Sequence, residues 1–130
     1  MIAVDTSAVA AIAFAEPQAR AFAEIIGTER CLIGWPTVLE CHMVLQSVPS
    51  RRGLDVLELL LKAPRLRIVA FNARLFNEAR RAFDRFGRGR HRAKLNFGDC
   101  MAYAVAKAND IPLLYKGEDF RLTDVRPAAL

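Results

Sequence analysis

The chain has 130 residues, 53% of them hydrophobic and 25% charged; that is enough to bury a core without a disulfide or metal staple, and too apolar for a disordered tail. Nineteen Lys and Arg against 14 Asp and Glu leave a formal charge of +5, which favours an anionic partner and says nothing of fold. Three scattered cysteines, Cys31, Cys41 and Cys100, with no Cys-x-x-Cys pair, argue against a secreted disulfide framework and a structural zinc site.

The elements alternate from end to end, and residues 1–130 read as one domain. Residues 2–5 (IAVD) form a short apolar strand. Residues 7–15 and 17–27 follow as helices, with Pro17 in a first turn and Gly27 as the stop. A second strand covers 31–34, and Pro36 opens a helix that runs to Val48 and breaks at Pro49. A helix over 51–62 leads to a third strand at 66–70. Asn72 caps a helix ending near Phe86, residues 87–94 form a glycine-containing loop, and Asn96 caps a helix over 97–109. Residues 112–115 make a fourth strand, 117–121 a turn or short helix, and Val125 begins a weak last strand. Strands separated by helices predict an α/β fold: a three-layer α/β/α sandwich around a mostly parallel sheet. In such sheets ligands bind outside the carboxyl ends of the strands.

The N-terminal string MIAVDTSAVAAIAFAE is Ala-rich, but it lacks a positive n-region and Asp5 interrupts it. No apolar stretch reaches the roughly 18 residues of a membrane span. A cytoplasmic protein without membrane contact is expected.

Four acids stand where that layout puts chemistry. Asp5 ends the first strand, Glu40 lies one turn after Pro36 among Val38, Leu39, Cys41, Met43 and Val44, Asp99 opens the helix after Asn96, and Asp119 follows the fourth strand. Each has a structural reading as well: Asp5 as an N-cap, Glu40 as a solvent-facing or salt-bridged side chain, Asp99 as half of a capping box, Asp119 as a turn residue. Were they to converge, their charges would repel unless a cation intervened. Oxygen ligands without a convergent His or Cys favour Mg²⁺ or Mn²⁺ over zinc, and water on such an ion becomes a nucleophile toward a phosphodiester.

Asp5 in VDTSA, Glu40 in TVLEC, Asp99 in NFGDCMAYAVA, and GEDFRLTD at 117–124 resemble the PIN-domain ribonucleases, in particular the VapC-type toxins of bacterial type II toxin–antitoxin pairs. The likeness covers essentially the whole chain. It implies an endoribonuclease dependent on Mg²⁺ or Mn²⁺ that leaves a 5′-phosphate and a 3′-hydroxyl. Asp5 and Asp99 would be the principal metal ligands, Glu40 would orient or deprotonate a metal-bound water, and Asp119 would ligate a metal or hold its water. Ser7 and Thr123 match polar positions that support these acids by hydrogen bonds. The family also implies an RNA substrate, a cognate antitoxin that masks the site, and a homodimer.

Arg85, Arg88, Arg90, Arg92 and Lys94 crowd one segment with His91 among them. The segment reads either as a solvated loop or as an RNA backbone contact beside Asp99, with Arg88, Arg90, His91, Arg92 and Lys94 on the phosphates. His42 has no second His or Cys at ligand spacing and reads as a surface or partly buried residue. The helices with Val9, Ile12, Phe14, Phe22, Ile25 and Ile26 read as core, with room for a partner helix.

Other phosphate chemistries fit worse. No GxxxxGK[ST] loop is present, and no GxGxxG follows the first strand. The alternative from another class is a catalytically silent RNA-binding or protein-interaction domain of the same fold.

Overall fold

The computed structural model describes residues 1–129. Four parallel strands, β1 (Ile2–Val4), β2 (Cys31–Gly34), β3 (Leu66–Val69) and β4 (Leu113–Leu114), form one sheet in the order β3-β2-β1-β4. Helices α1 (Thr6–Ala13) and α2 (Ala19–Thr28) link β1 to β2, and α3 (Trp35–Gln46) and α4 (Arg52–Leu61) link β2 to β3. Helices α5 (Ala73–Phe86) and α6 (Phe97–Asn109) lead to β4, which is followed by a 3-10 turn at Asp119–Leu122.

Strand periodicity divides the core. Ile2, Val4, Cys31 and Ile33 face one side with Ala8, Val9, Phe22, Ile26, Cys41, Leu45 and Leu57, whereas Ala3 and Leu32 face the other with Leu75, Ala82, Phe86, Tyr103 and Val105. Helices α1–α4 therefore cover one face and α5 and α6 the other, giving the expected α/β/α sandwich. The chain steps outward from β1 through β2 to β3, then returns to place β4 on the other side of β1. That reversal opens a crevice at the carboxyl end of β1, where α/β sheets hold their ligands.

Several element boundaries differ from expectation, among them the end of α3, which stops at Gln46 and not at Val48. Gly27 does not stop α2, which runs on to Thr28 and is capped by Glu29 in extended backbone; α2 also begins at Ala19, after a turn at Pro17. Helix α1 ends at Ala13, and Ala15 turns the chain in the left-handed region (φ 52°). The last strand reduces to a single bridge between Leu113 and Pro127. Elsewhere local chemistry sets the ends. Asn72 accepts from the Leu75 N–H (3.1 Å) and Asn96 from the Asp99 N–H (2.8 Å), while Asp110 closes α6 in the left-handed region (φ 52°).

The lower half of the α6 face is tied to the C-terminal segment by one polar knot. The buried Tyr103 hydroxyl donates to Asp124 (2.6 Å), which also pairs with Arg85 (3.2 Å) and Lys107 (3.3 Å). Partial burial works against the Asp124 charge, but the Tyr103 and Lys107 bonds outweigh it and hold its carboxyl below the ordinary range. Tyr103→Phe is expected to lower stability by about 1–2 kcal/mol. Urea unfolding with an unchanged m-value checks it.

Candidate active site

Each candidate acid is delivered by a local feature of the chain. Asp5 leaves β1 in extended backbone and caps α1: its Oδ2 accepts the Ser7 N–H (3.0 Å) and the Ser7 hydroxyl (2.6 Å). The Ser7 hydroxyl in turn accepts the Lys116 N–H (2.9 Å), which ties Asp5 to the end of β4. The other oxygen, Oδ1, has no hydrogen-bond partner although the residue is only 3% exposed. A buried carboxylate oxygen without a donor is costly. Burial pushes the Asp5 carboxyl from 3.8 up to about 7; the Ser7 bonds oppose this, and the charges of Asp99 and Glu40 add to it.

Glu40 is half-buried on α3, and its Oε1 accepts the Thr6 hydroxyl (2.5 Å). Its carboxylate lies against Gly98, where any Cβ would overlap it. Asp99 is half-buried at the third position of α6, its Oδ2 closing the capping box on the Asn96 N–H (3.0 Å). Burial raises its carboxyl above the ordinary range; the Asn96 N–H opposes this, Asp119 and Glu40 add to it, and Arg88 opposes it. Asp119 is exposed at the start of the 3-10 turn, while its neighbour Glu118 pairs with Arg121 (2.8 Å). Asp119, not Glu118, is thus the acid of that turn whose charge reaches Asp99.

The capping roles of these acids leave oxygens uncommitted. Asp5 caps a helix with one oxygen and leaves the other free; Asp99 does its capping with Oδ2 alone. The four acids share one electrostatic neighbourhood, since Asp5 feels Asp99 and Glu40 while Asp99 feels Glu40 and Asp119. They do not form a tight cage. Among the described residues, no three Asp, Glu, His or Cys side chains gather closely enough to hold one ion between them. The oxygen-only donor set suits a hard divalent cation that keeps several waters. The orphaned Oδ1 of Asp5 is an anionic oxygen in want of such a partner, and the donor set contains no nitrogen or sulfur that would favour zinc.

Two expected supporting residues differ. Ser7 bonds Asp5 directly, but the Thr123 hydroxyl donates to the Phe120 carbonyl (2.7 Å) and accepts the Val125 N–H (3.2 Å), so it shapes the turn instead of contacting an acid. Two residues outside the expected site contact Glu40. Thr6 lies inside the string VDTSA, and Gly98 occupies a first helical turn where glycine is otherwise unfavourable, a signal of close approach.

The basic segment is a compact loop. Arg88, Arg90, Arg92 and Lys94 line one open concavity together with His91. Gly89 (φ 84°) and Lys94 (φ 54°) adopt the left-handed backbone that closes it. The Arg90 guanidinium lies over the Phe83 ring (5.2 Å). His91 serves the shape of the loop, since its Nδ1 accepts the Ala93 N–H (3.0 Å) and its ring stands edge-on to Phe86 (5.1 Å). Arg85 is committed to Asp124. His42 is exposed on α3.

Because the Asp5 carboxyl is raised, its charged form is the one that folding disfavours. Its contribution is neutral below about 3.8, the unfolded value, and stability is lost as pH climbs to about 7. Asp99 acts in the same sense. Metal-free protein is therefore expected to lose stability between pH 4 and pH 7 through these groups, and Asp5→Asn, which retains a capping oxygen, is expected to flatten that loss. Thermal unfolding in EDTA across this range checks it. Adding Mn²⁺ near pH 7.5 should raise the wild-type melting temperature and leave that of Asp5→Asn in place.

Comparisons with known proteins identify the family. The PIN domain family matches residues 2–125. A ribonuclease VapC of Mycolicibacterium smegmatis is 42% identical over 123 residues, covering 94% of this chain and 95% of its own. Ribonuclease VapC30 of Mycobacterium tuberculosis is 38% identical over 128 residues, 98% of each chain. Among solved structures, Mycobacterium tuberculosis VapC20, described as a sarcin–ricin loop cleaving toxin, matches with a TM-score of 0.70 at 18% identity, covering 98% of this chain and 100% of its own. VapBC2 of Rickettsia felis, solved with a promoter DNA fragment, matches with a TM-score of 0.71 at 16% identity over 98% of each chain. The two solved structures speak for the sandwich alone, whereas the family match and the close relatives reach the whole sequence: the chain belongs to the PIN-domain family and, within it, to the VapC ribonucleases.

Proposed function

We propose that this ribonuclease is the toxin of a toxin–antitoxin pair, an endonuclease that hydrolyses RNA phosphodiester bonds with Mg²⁺ or Mn²⁺ and acts as one domain over residues 1–130 in the cytoplasm. The observation that carries the reading is Asp5, a buried carboxylate with one oxygen capped and the other bare, in the repulsive field of Asp99 and Glu40. Asp5 and Asp99 would hold the ion. When bound, a divalent ion neutralises charge at the reacting phosphate and makes water a stronger nucleophile.

The chain's own residues do the rest. Glu40 is the acceptor for the proton of the attacking water, because it is the acid held away from Asp5's cap and fixed by a hydroxyl. Asp119, exposed at the rim, orients water at the mouth of the crevice. Arg88 sits close enough to Asp99 to favour its charged form, and with Arg90, Arg92 and Lys94 it binds the RNA backbone next to the scissile phosphate. His91 supports this loop through Nδ1, which leaves its Nε2–H available to a phosphate in the same concavity. Hydrolysis leaves a 5′-phosphate and a 3′-hydroxyl.

Two partners accompany this function. A cognate antitoxin would cover the acids with a basic side chain, relieving the repulsion that the free protein carries. A second copy would cover exposed apolar side chains, either Trp35 and Leu39 beside α4 or Phe76 and Phe97 between α5 and α6, all more than half exposed. No helix among the described residues is long and apolar enough to cross a membrane.

The test uses protein purified free of any partner and structured RNAs with Mg²⁺, Mn²⁺ or excess EDTA. Cleavage is expected with either ion and lost in EDTA. Asp5→Asn and Asp99→Asn are each expected to lower kcat by at least about 100-fold with folding intact. Unimpaired RNA binding without cleavage in any condition would instead make the protein a silent binder. Replacing Arg90 and Arg92 with Ala is expected to weaken RNA binding and to reduce the slope of log K against log salt by about 1–2. Filter binding across a salt series measures it.

A further inference from the structure

We infer that Thr6 is a positioning residue for Glu40: its hydroxyl and the bare backbone of Gly98 form a slot that fixes the Glu40 carboxylate in its working orientation. The inference rests on the reading of Glu40 as a participant in RNA hydrolysis. Neither slot residue is among the acids or their expected supports.

The geometry is specific. Thr6 is the first residue of α1 and is 8% exposed. Its hydroxyl hydrogen goes to Glu40 Oε1 (2.5 Å), and its oxygen accepts from the Cys41 thiol (3.8 Å). A threonine hydroxyl has one hydrogen, so accepting from Cys41 leaves that hydrogen committed to Glu40. The relay runs from Cys41 through Thr6 to Glu40, and Cys41 is fully buried, so the chain of donors is anchored in the core. On the opposite side, a Cβ at position 98 would collide with both Glu40 carboxylate oxygens. Gly98 belongs to the first turn of α6, one residue before Asp99. Glu40 is thus clamped between the residue after Asp5 and the residue before Asp99, so the α1 and α6 residues that border the two principal acids also orient the third.

A flexible glutamate has three side-chain torsions, and most surface glutamates sample many rotamers. A carboxylate that must take a proton from water at one point gains from being held there in advance. Glu40 has one side-chain hydrogen bond from the protein, and Thr6 supplies it.

The experiment is a double-mutant cycle read by steady-state cleavage of a fluorogenic RNA oligonucleotide that the wild type cuts, with Mn²⁺ present. Thr6→Val keeps the β-branched shape and removes the hydroxyl. It is expected to lower kcat by about 10- to 100-fold with KM little changed, as misplacement of a reacting group does. Thr6→Ser, which restores the donor, is expected to recover most of the rate. In a Glu40→Ala background, Thr6→Val is expected to cost nothing further, because a residue that acts only through Glu40 has nothing left to act on. Gly98→Ala attacks the same slot from the other wall and is expected to lower kcat likewise. Circular dichroism and RNA binding by each variant establish that the fold persists.

Wild-type kcat in Thr6→Val would overturn the inference, as would an equal loss with and without Glu40, which would make Thr6 a structural residue. Full kcat in Glu40→Ala alone would remove Glu40 from the reaction, and the inference with it. The two failures are read from different variants.

Discussion

The constraint on which the molecule turns is the burial of one carboxylate at the carboxyl end of β1. Asp5 must be there to cap α1, and the strand order must reverse beside it to open a crevice. Capping satisfies Oδ2 and leaves Oδ1 without a donor. The scaffold tolerates this because Ser7 and Lys116 brace the capped side and the hydrophobic faces of β1 supply burial on both sides of the sheet. The repulsion from Glu40 and Asp99 is a local cost set against the packing of the whole domain.

The arrangement also explains why three helix N-termini meet around the acids. Helices α1, α3 and α6 begin at Thr6, Trp35 and Phe97, and each carries a candidate acid in or just before its first two turns. The positive end of each helix dipole faces negative charge, which offsets part of the repulsion before any cation arrives. The same three ends favour a phosphate group, so one feature serves both the resting protein and its substrate class.

Much of the fold was legible in the sequence. Short apolar strands alternating with amphipathic helices gave the parallel sandwich, and Asn72 and Asn96 marked helix starts that the structure keeps. Gly27 misled because a glycine near a helix end can lie inside the last turn, and α2 runs one residue past it. The weak strand at Val125 reduced to one bridge, in which the Arg126 carbonyl accepts the Leu113 N–H and the Ala128 N–H donates to the Leu113 carbonyl, while Pro127 between them has no N–H to extend the pairing. At the site, positions after strands or at helix starts were readable because they are local. What was not readable was which oxygen of each acid is spoken for, since that depends on neighbours far away in sequence. Thr6 meets Glu40 across 34 positions, and the Glu40 carboxylate sits on the backbone of Gly98. The local bonds of Thr123 and His91 were hidden for the converse reason. Both are polar residues in turns, and both found a backbone partner within three residues before any distant group could claim them.

Asp5 also determines how readily the protein can be disarmed. Asparagine caps a helix about as well as aspartate, so exchanging one oxygen for an amide nitrogen at position 5 keeps the scaffold and deletes a buried negative charge. With Asp5 holding the ion as proposed, such a change would leave a well-folded, inert molecule. In cells that suffer from the enzyme, escape lineages should gather at this codon sooner than at core positions such as Leu45 or Tyr103, where loss of function comes only with loss of the protein itself.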